Sequence, residues 1–263
     1  MNHACHQNPA AHQADEAVCS ICRDGVALDF SFSFAFQPII DIQARRVFAH
    51  EALVRGPQGE SALSVLERVN AANRYQFDQA CRVQAIRTAA SLGMQSKLSI
   101  NFLPNAIYRP EVCISTTLKA AETYHFPVEN IIFETVEGER IEDGRWLEEV
   151  FRAYRRIGFL TAIDDFGAGY AGLNLLADFQ PDIIKLDMGL IRGIDQHKNR
   201  RVIVSAVAGL CAELGIKLIA EGVETRGELA CLRDLGIELI QGYLLSRPIF
   251  EGFLPDGAID LPG

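Results

Sequence analysis

No apolar run in these 263 residues is long enough to cross a bilayer, and the N-terminus lacks the basic and apolar regions of a signal peptide. A cytoplasmic protein that does not work at a membrane is the expectation. Positive charge is scarce: 25 Lys and Arg face 34 Asp and Glu, for a formal net charge of −9. A general nucleic-acid surface would need a basic face and is therefore excluded. A phosphate-bearing ligand is not, because bound metal ions would bring positive charge to one place.

The seven cysteines form no framework of even spacings. Cys81, Cys113, Cys211 and Cys231 fall in or beside helical patterns and read as reduced residues in or near the core. Cys5, Cys19 and Cys22 share residues 1–26 with His3, His6 and His12. This polar, Ala-rich stretch has no periodicity and reads as an unstructured leader, with residues 27–263 as the folded domain. The alternative is a small zinc site using Cys19, Cys22, Cys5 and one histidine, or a redox element. The absence of a second Cys-x-x-Cys tells against zinc.

What the sequence has, at 49% hydrophobic and 22% charged residues, is material for one large core. From Leu28 the pattern alternates strictly, with Leu28, Phe30, Phe32, Phe34 and Phe36 on one face, and predicts a half-buried strand running on to Asp41. Arg46–Gly56 returns as a second strand, so a hairpin opens the domain. Helical spacing follows over 61–73 and 77–92, then a strand over 97–102. After that, helices at 111–124, 146–157, 171–177, 198–214 and 225–235 alternate with strands at 130–135, 159–164, 183–187, 217–221 and 238–243. Strands alternating with helices in a chain of this length predict an α/β fold, a TIM-like (β/α)8 barrel made irregular by its opening hairpin.

In a parallel barrel every strand delivers its C-terminal residue to one face. Here those residues are Glu51, Asn101, Glu134, Asp164 with Asp165, Lys185 with Asp187, Glu221, and Gln241. Any one alone would read as a cap or a loop residue, and Asp164-Asp165 could be an N-cap with a solvated neighbour. Seven polar strand ends gathered by one topology read as a site. The Asp165-Phe166-Gly167 triplet also occurs in protein kinases, but this chain has neither a glycine-rich nucleotide loop near its N-terminus nor a His-Arg-Asp loop. Carboxylates from Glu51, Glu134, Asp164 and Asp165, with the amide oxygen of Asn101, make an all-oxygen donor set that suits Mg²⁺ or Mn²⁺. Two ions bridged by Asp164 would activate a water for attack on phosphorus, with Lys185 orienting it and Glu221 accepting its proton. Gly167 and Gly169 would let the backbone turn sharply beside them.

These residues also carry a resemblance. Phe36-Gln37-Pro38-Ile39, Glu51-Ala52-Leu53-Val54-Arg55-Gly56, Asn101 to Pro104, Glu134 to Glu137, Asp164-Asp165-Phe166-Gly167, Lys185-Leu186-Asp187, Ala220 to Glu224 and Gln241-Gly242-Tyr243 together resemble the EAL family of cyclic-di-GMP phosphodiesterases, from about Phe34 to Phe250. The resemblance implies hydrolysis of cyclic-di-GMP to linear pGpG in a barrel with an antiparallel first strand. It implies one metal on Glu51, Asn101, Glu134 and Asp164 and a second on Asp165 with Asp187. Glu221 would be the general base, Lys185 the water-orienting cation, and Glu137 a brace for the loop after Asp165. Gln37, Leu53, Arg55 and Gln241 would line the nucleotide groove, with Arg55 on a phosphate. A homodimer is implied as well, under an upstream regulator that the sequence does not identify. Leu103 and Ala171-Gly172 depart from the family's pattern without removing a ligand. The alternative function is a cyclic-di-GMP receptor that binds without turnover.

Overall fold

The computed structural model describes residues 28–104, 107, 110–136, 144–168 and 172–261. Glu137, Gly169 and the leader's cysteines and histidines lie outside them. Nine strands form one sheet: β1 (Ser33–Asp41), β2 (Arg46–Arg55), β3 (Lys97–Asn101), β4 (Ile131–Val136), β5 (Leu160–Phe166), β6 (Ile183–Leu186), β7 (Lys217–Ala220), β8 (Leu239–Ile240) and β9 (Ile249–Phe250). The order β2-β3-β4-β5-β6-β7-β8-β1 closes on itself through a β1–β2 pairing, which makes a barrel of eight strands. Strands β2 to β8 are parallel neighbours, whereas β1 runs antiparallel to both β2 and β8. The α/β barrel with its reversed first strand is therefore as expected.

Several local expectations need correction. Strand β1 is buried on both faces rather than one: Ser33 and Ala35, on the supposed solvent side, are as buried as Phe34 and Phe36. A strand closing a barrel has a lumen on one side and packed elements on the other, so alternation in the sequence does not become alternation in exposure. The helix expected over 61–73 keeps only α1 (Ala62–Leu66), ahead of α2 (Arg74–Ser91). The helix expected over 111–124 is two pieces, α3 (Pro110–Cys113) and α4 (Ser115–Thr123). Further on come α5 (Gly144–Ile157), α6 (Gly172–Asp178), α7 (Met188–Ile191), α8 (Lys198–Leu214) and α9 (Arg226–Asp234), the last opened by a capping box of Thr225 and Glu228. Strand β8 holds two residues, not six, because Val223 takes over its hydrogen bonds, donating to the Gln241 carbonyl and accepting from the Leu244 amide. Strand β9, which pairs with Ala35 and Phe36 of β1, has no alternating signal to announce it.

The lower half of the barrel lumen is filled by a compact apolar layer: Ile39, Ala49, Ile132, Ala162, Ile183, Ile219 and Leu239. A larger apolar core lies between the strands and the outer helices. Cys81, Cys113, Cys211 and Cys231 are buried and free, as expected. No described helix is long and apolar enough to cross a membrane.

Candidate functional site

Side chains in a strand repeat on one face every two residues. Counting two residues from each member of the lumen layer gives Gln37, Glu51, Glu134, Asp164, Lys185, Glu221 and Gln241. In the parallel strands the polar residue follows its apolar partner; in reversed β1, Gln37 precedes Ile39. One floor of aliphatic side chains thus carries one storey of charged and amide groups. Strand β3 is the exception, placing Ser99 below Asn101, and the buried Ser99 hydroxyl donates to Glu134 Oε1.

Lys185, 1% exposed, stands at the centre. Its ammonium lies 2.6 Å from Glu221 Oε1, 3.0 Å from Glu134 Oε2, 3.2 Å from Asp164 Oδ1 and 3.3 Å from Glu51 Oε2. Asn101 Nδ2 donates to Glu51 Oε1 at 3.1 Å, and Gln241 Nε2 donates to Glu51 Oε2 at 2.7 Å and to Gln37 Oε1 at 3.4 Å. The NH₂ of Asn101 is thus committed to Glu51, and its carbonyl oxygen is the end that could serve a cation.

Protonation follows from this crowding. Burial pushes Glu134 up to about 8; Lys185 opposes the shift, while Glu51 and Asp164 add to it. Glu221 is raised by burial too, against Lys185 and with Asp164. Asp165 is raised by burial, then by its neighbours Asp164 and Asp187. Glu51 goes the other way: burial works against its carboxylate, but Lys185, Gln241 and Asn101 outweigh it. Burial also works against the Lys185 ammonium, and the four carboxylates overcome it and hold its proton well above the usual range.

These groups fit hard divalent cations. Oxygens of Glu51, Glu134 and Asp164 lie within 4.8 Å of one another, as do those of Asp164, Asp165 and Glu221, so Asp164 belongs to both sets. Five carboxylates against one ammonium leave four negative charges, which two divalent ions would balance. A cation would also reverse the upward shifts of Glu134, Glu221 and Asp165.

The turn that carries Asp165 is tight. Asp165 has φ 53°, a left-handed value uncommon for a side-chain-bearing residue, and its amide donates to Asp164 Oδ1 at 2.9 Å. Gly167 follows at φ 100°, where a Cβ would stand 2.6 Å from Leu190 Cδ1. Asp187, predicted beside Asp165 as a ligand, lies just beyond β6 as the N-cap of α7: its Oδ1 accepts from the Gly189 amide at 2.9 Å, and it belongs to neither oxygen set.

A cavity of about 240 Å³ opens onto the storey, lined by Gln37, Glu51, Asp164, Lys185, Glu221 and Gln241. Leu53 is half-buried outside this lining, and Arg55 Nη1 donates to the Val54 carbonyl at 2.7 Å. Met188, Arg192, Glu224 and Tyr243 complete the wall. None of these four was named as a site residue, although Glu224 and Tyr243 fall in quoted motifs; Met188 and Arg192 sit past the end of β6, where periodicity carries no signal. Arg192 pairs with Glu224 at 2.9 Å across the mouth. Behind them the Glu228 carboxylate accepts from the amides of Gly193, Glu224 and Thr225 at 2.8, 2.9 and 3.0 Å, which ties the loops after β6 and β7 together. Gly242 permits the closest approach, since a Cβ there would overlap the Val223 backbone.

Residues 24–248 match the family model described as the EAL domain. Among solved structures, a standalone versatile EAL protein from Vibrio cholerae O395, in its c-di-GMP bound form, is 54% identical with a TM-score of 0.85, covering 89% of this chain and 98% of that one. The blue light- and temperature-regulated antirepressor BluF of Escherichia coli K12 is 35% identical over 221 residues, 83% of this chain and 55% of BluF. The cyclic di-GMP phosphodiesterase PA2567 of Pseudomonas aeruginosa is 26% identical over 260 residues, 95% of this chain and 44% of that protein. The chain thus spans about half the length of these two curated relatives.

Proposed function

Because the chain belongs to the EAL domain family, we propose that it is a metal-dependent phosphodiesterase that hydrolyses cyclic-di-GMP to linear pGpG. The observation that carries this reading is the pair of oxygen sets that share Asp164, with Lys185 and Glu221 beside them at the closed end of one cavity. Its support from relatives is the c-di-GMP bound in the Vibrio cholerae protein and the activity named for PA2567.

In this reading Glu51, Asn101, Glu134 and Asp164 would hold one Mg²⁺ or Mn²⁺, and Asp165 with Asp187 would hold a second. The ions supply Lewis acidity, lowering the pKa of a bound water and neutralising charge on the phosphate. Glu221, whose Oε1 lies 2.6 Å from the Lys185 ammonium at the cavity wall, accepts the proton of the attacking water. Lys185 orients that water and stabilises charge that builds on the phosphate oxygens. Gln241 and Gln37 hold the nucleotide from the storey itself, Leu53 and Arg55 from the rim, and Glu137 braces the loop after Asp165. The protein works as a homodimer, which sedimentation of the purified chain would measure.

The test is turnover of cyclic-di-GMP by purified protein in Mg²⁺ or Mn²⁺, with Glu51→Ala as control and a binding assay in Ca²⁺. Metal-dependent release of pGpG that disappears in Glu51→Ala is the expected result. Tight binding with no turnover would make the protein a receptor, and the absence of both would overturn the reading.

A further inference from the structure

Helix α2 carries a charged pair that the chemistry above does not use. Asp78 and Arg82, one turn apart, are 3% and 0% exposed, with Oδ2 and Nη2 2.6 Å apart. Arg82 Nη1 donates to the Tyr154 hydroxyl at 3.0 Å. Its guanidinium lies 5.5 and 5.2 Å from the ring centroids of Phe102 and Phe133. A fully desolvated ion pair is a poor source of stability, since apolar residues of similar volume do as well or better. Its connections suggest another role.

Asp78 Oδ1 accepts from the Leu103 amide at 2.9 Å, across 25 residues of chain. Leu103 is the second residue after Asn101. The amide between them, that of Phe102, donates to the Glu134 carbonyl at 3.0 Å. Two consecutive amides of the turn that leaves the site are therefore held, one by β4 and one by α2. Phe102 and Phe133, the rings beside Arg82, are the chain neighbours of Asn101 and Glu134, and strand alternation turns them outward where those two turn in. Phe102 also packs edge-on against Phe133, with centroids 5.8 Å apart. One cation thus backs the ends of two adjacent strands, and its carboxylate partner holds the turn of one of them.

We propose that Asp78 and Arg82 are positioning residues that hold the ends of β3 and β4, and with them the Asn101 carboxamide and the Glu134 carboxylate, in the geometry a divalent cation needs. The role rests on the metal-site reading above. Packing alone would centre the two rings, but it would offer no acceptor to the Leu103 amide. Asp78 supplies that acceptor, and Arg82, 2.6 Å away, holds Asp78 in place.

The experiment titrates the full chain with Mn²⁺ and follows thermal unfolding of the same samples, comparing native protein, the double variant Asp78→Leu/Arg82→Met and the single variant Asp78→Asn. The double variant exchanges the pair for apolar side chains of similar size and deletes the acceptor. It is expected to keep a near-native Tm and to bind Mn²⁺ about 10- to 100-fold more weakly, the usual cost of losing a group that orients a metal ligand. Asp78→Asn keeps an oxygen for the Leu103 amide but leaves the buried Arg82 without its counter-charge, so its Tm is expected to fall while its Mn²⁺ affinity stays close to native. Native affinity in a folded double variant would overturn the proposal. So would a loss in Asp78→Asn as large as that expected of the double variant, and this arm decides the matter if the double variant does not fold. Native protein that binds no Mn²⁺ would overturn the metal-site reading and this one together; Mn²⁺ binding by native protein that the folded double variant retains in full would overturn this one alone.

Discussion

Two layers of the barrel lumen differ by two residues in sequence and by everything in chemistry. The lower layer, Ile39, Ala49, Ile132, Ala162, Ile183, Ile219 and Leu239, is a sealed apolar plug. The upper layer gathers the carboxylates of Glu51, Glu134, Asp164 and Glu221 around Lys185. The same seven strands supply both, so the difference cannot come from backbone or topology. The lower layer contributes folding free energy through burial. The upper layer spends it, because each charge there is desolvated and most have like-charged neighbours.

The largest expected effect follows from taking that division at its word. Glu221→Gln should lower kcat by about 10²- to 10⁴-fold, the worth of a positioned general base, and leave Tm at or above the native value, since a crowded carboxylate is removed. Steady-state kinetics beside thermal unfolding checks both, and a large fall in Tm would break the comparison. In the layer below, Ile183→Ala should do the opposite. It should cost about 2–5 kcal/mol of stability through the cavity it leaves, measured by urea unfolding, while the folded protein keeps its metal affinity.

A third test moves to the outside of the barrel, beside the lower layer. His50, 1% exposed, pairs Nδ1 with the Ser96 hydroxyl at 2.7 Å and donates Nε2–H to the Leu254 carbonyl at 3.1 Å. Burial lowers its pKa to about 4, against the pull of the Leu254 carbonyl and Asp256. A base whose folded pKa lies below its unfolded value binds more protons when unfolded, so stability falls as pH drops from about 6.5 towards 4 and levels off below that. The loss should approach about 3 kcal/mol, read as the difference in pH dependence of unfolding between native protein and His50→Gln. The smallest effect should come from Ser99→Ala, the one place where the lower layer is polar. Loss of its bond to Glu134 should cost about 1–2 kcal/mol and sharpen the rule that the other seven strands obey.

The sequence made the upper layer legible because a polar residue closing an apolar strand is a local signal, and a parallel barrel brings all such ends to one face. Glu51, Glu134, Asp164, Lys185, Glu221 and Gln241 were legible as polar strand ends; the aliphatic layer beneath them shows only in the structure. What escaped was set by tertiary neighbours. Ser99 looks like any small strand residue until Glu134 is placed beside it. Arg192 and Glu224 meet only because Glu228 ties two loops together. Asp187 reads as the tail of a strand, yet its carboxylate finds the Gly189 amide before any other partner. Strand β1 reads as half-exposed because its pattern cannot say that the sheet closes over it.

The reversed direction of β1 has a consequence for the routing of the chain. Ser33 pairs with Arg55, at the end of β2 that lies beyond Glu51, and Asp41 pairs with Arg46 at the far end. A barrel built wholly of parallel strands would receive its polypeptide at the floor; this one receives it at the rim. Just ahead of β1, residues 29–32 lie against Arg68, Phe77 and Gln84 in the outer layer, so the chain enters the strand from the helices rather than from below the plug. Direction of travel in a single strand thus decides at which end of the barrel the outer layer hands over to the wall.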